Sequence, residues 1–227
     1  VRILVVTGSD EQYFPLLDDL VQSLRQWQPA PFDDIACFDL GLASASRDRL
    51  APLVSHLVVP GWDLPVAEEL RVNKPALRAL TVRPFLPRYF PGYDVYLWID
   101  ADAWVQERFA IECYVASAAR GLLGIVPHTH PAYATPPHML RWRREVAATY
   151  FGAEADAIVR WDTYLNAGVF ALRADAPHWA SWARWFAKGL ESSQGMICTD
   201  QAALNYAVWR DGLPVGLLPA LCNWVCH

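Results

Sequence analysis

The chain opens on Val1 to Val6, a near-continuous apolar run that ends in Thr7-Gly8-Ser9-Asp10. That is the pattern of a buried parallel strand whose C-terminal end opens into a loop. Tyr13, Leu16, Leu17, Leu20, Val21 and Leu24 follow at helical spacing, with Pro15 tolerable in the first turn and Asp18 and Asp19 on the other face. Ile35 to Leu40 and His56 to Val59, each bounded by turn residues, read as the next two strands, and Leu77 to Leu86 is helical in pattern. Tyr93 to Ile99 gives the strongest strand signal and stops at Asp100-Ala101-Asp102. Gly121 to Val126 reads as a strand, Pro127 to Pro137 as a loop and His138 to Phe151 as a helix. Tyr164 to Leu172 reads as a strand interrupted by Gly168. Ala176 to Leu190 carries Trp179, Trp182, Trp185 and Phe186 at helical spacing, and Thr199 is placed to cap a helix running through Asn205 to Trp209. Strands alternating with helices predict an α/β domain on a parallel sheet. In such sheets ligands bind beyond the carboxyl ends of the strands, so Thr7 to Asp10 and Asp100 to Asp102 are expected on one crevice.

At 227 residues the chain suits one α/β domain with a sizeable core and is short for two. The formal charge of -5 is spread along the sequence, so no polyanion-binding surface is indicated and nucleic acid is not expected as a partner. Cys37, Cys113, Cys198, Cys222 and Cys226 are odd in number and fall on apolar runs, which reads as reduced core thiols of a cytosolic protein. Cys222, Cys226 and His227 have no second ligand pair with which to hold zinc. The sequence has no apolar stretch of about 18 to 20 residues and no basic-then-apolar leader, so a soluble, cytoplasmic domain is expected. Eleven tryptophans fit either an aromatic core or a surface that receives sugars or lipid headgroups.

The candidate chemistry lies at Asp100 and Asp102. Two carboxylates separated by one small residue at the end of a buried strand can both turn toward one hard cation. Magnesium or manganese prefers oxygen ligands and is completed by substrate phosphates and water. Taken alone, Asp-Ala-Asp is also an ordinary solvated turn. The fully apolar strand that feeds it, and a second acidic loop at Asp10 on the same crevice, favour the metal.

Around this core the chain resembles family 8 of the retaining glycosyltransferases, in which a GT-A fold binds a nucleotide sugar through an Asp-x-Asp motif. Asp10-Glu11-Gln12-Tyr13 is similar to that family's Asp-Asp-Asn-Tyr loop, and Arg83 stands at the distance expected of its donor-contacting arginine. Asn166-Ala167-Gly168-Val169 resembles its Asn-Ala-Gly-Val strand, Asp200-Gln201-Ala202-Ala203-Leu204-Asn205 its Asp-Gln-x-x-Leu-Asn helix, and Leu218-Pro219 with Asn223 the segments that follow. The resemblance covers residues 7 to 224. It implies a single GT-A domain over residues 1–227, Rossmann-like, with a mainly parallel central sheet flanked by helices. It implies a UDP-sugar donor contacted by Thr7, Gly8, Asp10, Tyr13, Arg83, Asp100 and Ala101, and Mn2+ or Mg2+ on Asp100 and Asp102. Asn166, Asp200 and Gln201 take the catalytic positions, Gln201 near the anomeric carbon and Asp200 at sugar hydroxyls. Because that place is taken by an amide, the implied mechanism is a front-face displacement rather than a carboxylate nucleophile. The family's third metal ligand, a histidine in a His-x-x-Gly-x-x-Lys-Pro-Trp segment, has no counterpart before His227, so a missing C-terminal tail is a further expectation.

Asp10 read by itself serves equally as a helix cap, Arg83 as a solvated cation and Asp200 as a helix-start acid, while a buried Asn166 amide suits either a sugar hydroxyl or the backbone at Gly168. His128, His130 and His138 are read as part of an exposed loop at the acceptor site, which would hold a saccharide or glycolipid. Arg141, Arg143 and Arg144 with Trp142 suit a solvated helix face, or a lipid phosphate met through peripheral association at the inner face of the membrane. Two rival functions share the fold. A sugar-nucleotide nucleotidyltransferase needs a glycine-rich basic loop after the first strand, and Thr7 to Glu11 has one glycine and no cation. A non-catalytic nucleotide-sugar-binding module would keep the donor site without turnover.

Overall fold

The structure, a computed structural model, describes residues 1–128 and 135–225. Among these, seven strands form one sheet: β1 (Ile3–Ser9), β2 (Asp34–Asp39), β3 (His56–Val58), β4 (Val95–Ile99), β5 (Leu123–Pro127), β6 (Leu165–Arg173) and β7 (Val215–Leu217). Their order across the sheet is β3-β2-β1-β4-β6-β5-β7. The helices are α1 (Phe14–Arg25), α2 (Ser44–Leu50), α3 (Glu68–Asn73), α4 (Arg78–Val82), α5 (Leu86–Tyr89), α6 (Arg108–Ala119), α7 (Pro137–Phe151), α8 (Ala155–Ile158), α9 (His178–Ser192) and α10 (Asp200–Arg210).

The apolar runs of β1 and β4 are continuous because helices cover both faces of the sheet. Val5, Leu97 and Ile99 face a core with Leu20 and Leu24 of α1 and Ile111, Tyr114 and Ala118 of α6. Leu4, Val6, Tyr96 and Trp98, the alternate positions, face the larger core with Val82, Leu86, Trp182, Phe186 and Leu204. Strands β1, β2, β3 and β4 are parallel, and β5 is parallel to β7. Only β6 runs the other way, antiparallel to both β4 and β5. That reversal positions the site. The pairing of Ile99 with Val169 puts the start of β6, residues 166–168, beside the end of β4.

Several elements differ from the sequence pattern. Strand β1 runs through Thr7, Gly8 and Ser9, which pair with Cys37, Phe38 and Asp39 of β2, so the loop begins at Asp10 rather than at Thr7. The helix expected over Leu77 to Leu86 is broken into α4, a 3-10 turn at Arg83–Phe85 and α5, because Pro84 has no N–H to continue the ladder. Asp18, expected on a solvated face, is buried and paired with Arg49. Helices α2, α3 and α6 and the three-residue β7 were not legible in the pattern. Among the described residues no helix is long and apolar enough to cross a membrane. Cys37, Cys113, Cys198 and Cys222 are free thiols, as expected; Cys226, His227 and His130 lie outside the described residues.

Candidate functional site

Asp100 is the first residue past β4, and its environment is built by three elements. Its Oδ1 accepts from Trp98 Nε1 at 2.7 Å and from Arg83 Nη2 at 2.5 Å. Trp98 and Asp100 are two apart at the end of an extended strand, so both side chains leave the sheet on the same face. The backbone of Asp100 is pinned as well, its N–H donating to Gly168 O at 2.8 Å. On the other side of the carboxylate, a Cβ at position 168 would lie 2.9 Å from Asp100 Oδ2. The glycine that looked like a strand interruption is therefore the clearance that lets β6 pass the carboxylate. Oδ2 accepts no hydrogen bond among the described residues. Asp102, two residues on, is exposed.

Arg83 ties this strand end to α10. Its Nη1 donates to Asp200 Oδ2 at 2.7 Å and to Ala167 O at 3.2 Å, and its guanidinium lies over the Trp98 ring, Cζ to centroid 4.7 Å. Arg83 is 6% exposed and Asp200 4%, so of the two readings the sequence left open for Arg83, a solvated cation does not hold: it is buried between two acids. Burial pushes the Asp100 carboxyl up to about 6, with Asp200 and Asp102 adding to the rise and Arg83 and Trp98 opposing it. Burial also raises Asp200 against the pull of Arg83. Arg83 itself is raised, because Asp100 and Asp200 outweigh the cost of its burial.

The other residues expected at the site separate into two groups. Gln201 and Asn166 join the cluster: Gln201 Oε1 accepts from Ala167 N at 3.1 Å, and Asn166 Oδ1 accepts from Gly168 N at 3.0 Å. The Asn166 carbonyl thus serves the backbone at Gly168, one of the two readings the sequence left open. Asp200 heads α10, where Thr199 is the N-cap, its Oγ1 accepting from Ala202 N at 3.4 Å. Asp10 and Tyr13 lie at the end of β1, the strand beside β4, outside that cluster. Asp10 Oδ1 accepts from Tyr13 N at 3.2 Å, which is a local turn closure, and the Tyr13 ring is about half exposed. Thr7 is sealed in the sheet with an Oγ1 that finds no hydrogen-bond partner among the described residues, and Gly8 lets Phe38 of β2 approach. Ala101 is buried between the two acids of the motif.

A cavity of about 760 Å3 adjoins the motif. Asp100, Asp102, Asn166 and Asn223 contribute polar groups to its lining, and Ile99, Ile111, Tyr114 and Cys222 apolar ones. Ligand pockets of about 300–1,000 Å3 combine apolar walls with a few polar groups in this way.

Pattern reading missed Trp98, which alternation marks only as core, although a buried indole N–H needs an acceptor. Asn205, which closes the α10 motif in the sequence but was given no role there, clasps Leu165 through both backbone groups at 2.8 and 3.0 Å and Gln201 O at 2.9 Å. Arg143, placed on a solvated face by the sequence, is buried, while Arg144 pairs with Asp156 and Trp142 is half exposed. Most of the loop expected at the acceptor site, residues 129–134, lies outside the described residues.

The strand order and the reversed β6 give the GT-A fold, and solved structures agree. The bifunctional glycosyltransferase WbbM superposes with a TM-score of 0.66 at 16% identity, covering 96% of this chain and 39% of its own. The galactosyltransferase LgtC, solved with donor and acceptor sugar analogues, superposes with a TM-score of 0.61 at 18% identity, covering 93% of this chain and 72% of its own. An active-site Gln-to-Glu variant of LgtC gives a TM-score of 0.57 at 17% identity. No protein-family profile matches the chain, and no curated protein matches it in sequence.

Proposed function

We propose that this domain is a cation-dependent glycosyltransferase that moves a hexose from a UDP-sugar to a saccharide or glycolipid acceptor with retention at the anomeric carbon. The observation that carries the reading is the way Asp100 is held: Oδ1 is fixed by Trp98 and Arg83, while Oδ2 is left clear beside Gly168, two residues before the exposed Asp102. These residues fit a hard cation that draws its remaining ligands from a diphosphate and water. Among the described residues no group of three or more His, Cys, Asp or Glu could cage one alone. Mn2+ or Mg2+ on Asp100 and Asp102 would neutralise the diphosphate and the charge growing on its departing oxygen.

The remaining roles belong to the chain itself. Asp10 and Tyr13 edge the neighbouring strand end, where they would receive the nucleoside, while Thr7 and Gly8 stand behind them within β1, Thr7 sealed from the crevice. Arg83 orients Asp100 and Asp200 at once. The Asp200 carboxylate is committed to Arg83 and to the backbone N–H of Gln201, so the start of α10 offers no free carboxylate, and the next residue, Gln201, carries an amide. A double displacement therefore lacks its nucleophile. A front-face reaction fits: the bond from anomeric carbon to phosphate oxygen breaks, the acceptor oxygen bonds to the same face, and its proton passes to the departing phosphate.

The LgtC structure with donor and acceptor analogues supports sugar partners for a domain of this fold. The test is UDP release from a panel of UDP-sugars, with and without acceptor saccharides. Release from at least one donor, dependent on manganese and stopped by a chelator, is expected. No release from any donor at any manganese concentration would overturn the reading.

A further inference from the structure

Arg143, on the inward face of α7, is 4% exposed, and no carboxylate among the described residues forms an ion pair with it. Its Nη2 donates to His128 Nε2 at 3.1 Å, which requires that ring nitrogen to be unprotonated, since a guanidinium only donates. Its Nη1 is buried with no hydrogen-bond partner among the described residues. Burial of a cation with no counter-charge among the described residues is costly, and an apolar side chain of similar volume would fill the space at lower cost. Packing alone does not explain the residue.

The guanidinium acts on Tyr164. It lies over that ring, Cζ to centroid 4.9 Å, and a cation over an aromatic face gains most where water is excluded. Tyr164 is 2% exposed; burial pushes its hydroxyl up, and the Arg143 guanidinium and the Gln201 side chain beside it pull it back down. Because the Ala167 N–H can only donate, the Gln201 carboxamide turns Oε1 toward it, leaving Nε2 as the end that meets the tyrosine oxygen. The contacts therefore run from a buried cation, through one aromatic ring, to the amide that flanks the cluster of Arg83, Asp100 and Asp200.

We propose that Arg143 is a positioning residue for Gln201, acting through Tyr164. The proposal rests on the reading of Gln201 as a group at the reacting centre. Charge and ring face together fix where the Tyr164 hydroxyl lies. That hydroxyl and the Ala167 N–H then hold the carboxamide at both ends, so no orientation has to be found when donor binds.

The test compares Arg143→Met, Arg143→Lys, Tyr164→Phe and the Arg143→Met/Tyr164→Phe double variant for manganese-dependent UDP release. Arg143→Met and Tyr164→Phe are each expected to lower kcat about tenfold while donor KM stays within about twofold. Arg143→Lys should restore part of the loss, because an ammonium can also sit over the ring. The double variant should be within about twofold of Tyr164→Phe, since both changes act through one contact. A second readout is independent of turnover: the side-chain amide NMR signal of Gln201, assigned by its disappearance in Gln201→Ala, should shift in both single variants. Additive losses in the double variant, or an unchanged Gln201 signal in Tyr164→Phe, would overturn the proposal. If Arg143→Met does not fold, Tyr164→Phe decides alone, since it removes one hydroxyl. If the wild type releases no UDP, the reading of Gln201 fails, and the NMR signal still reports whether Arg143 and Tyr164 hold it.

Discussion

At Asp100 one oxygen belongs to the protein and the other to the crevice, and Gly168 decides whether the second stays clear. A methyl group at 168 would meet Asp100 Oδ2 at 2.9 Å and Asn166 Oδ1 at 3.1 Å, both ends of side chains rather than backbone. Gly168→Ala should therefore spare the backbone but push the Asp100 carboxylate aside against its bonds from Trp98 and Arg83. The cost falls on the site: manganese-dependent UDP affinity should drop about tenfold, a change of about 1.4 kcal/mol measurable by calorimetry. The same carboxylate sets a pH dependence. Its folded pKa, pushed up to about 6, lies above the ordinary value of 3.8, so the native protein holds a proton that the unfolded chain has lost. Stability of the metal-free protein from this group is full below the unfolded value and is lost as pH rises through about 6. Cation binding has the opposite slope, since it needs the ionised form. Manganese affinity should rise about tenfold per pH unit below that point and level off above it, as titrations between pH 5 and 7.5 would show. Asp100 and Asp102 were legible because an apolar strand stopping at paired acids is a local signal. Arg83 was legible only through the resemblance, and its buried place between Asp100 and Asp200 is set by residues 17 and 117 positions away.

Among the elements, β6 and α10 do most to assemble the site, and the two were legible to different degrees. The start of α10 followed from Thr199, and the structure places its hydroxyl at the helix N-terminus. The strand β6 was expected within a residue at each end, but its direction was not, because an apolar run has the same period whichever way it points. The helix before β4 is broken at Pro84, α2 and α3 are too short to display a face, and the twelve residues of α6 do not gather their apolar positions on one stripe. Helix packing gives a test away from the crevice. A Cβ at Gly189 of α9 would overlap the ring of Tyr150 in α7, and Tyr150 Oη donates to Ile197 O and accepts from Thr199 N. Gly189→Ala should overpack this contact and destabilise the protein by about 1–3 kcal/mol. A thermal melt should register about 2–4 °C per kcal/mol, and an unchanged melting temperature would contradict the packing.

For the whole molecule, the sheet does the organising. Parallel β1 and β4 bring their C-terminal ends to one edge, and reversed β6 brings its beginning to the same edge, so residues far apart in sequence meet at one crevice. The parallel part of this arrangement was readable from alternating strands and helices, and the reversal of β6 was not. The cavity beside the motif was not, because it is formed by α6, unrecognised in the pattern, together with residues 221–225. At this crevice a cation at the end of β4 is expected to join the protein to a diphosphate. Calorimetric titration of UDP into wild type and Asp102→Ala, each with and without manganese, tests this most directly. Manganese-dependent binding to the wild type, reduced at least about tenfold in Asp102→Ala, is the predicted result; equal affinity in both proteins, or binding indifferent to manganese, would contradict it.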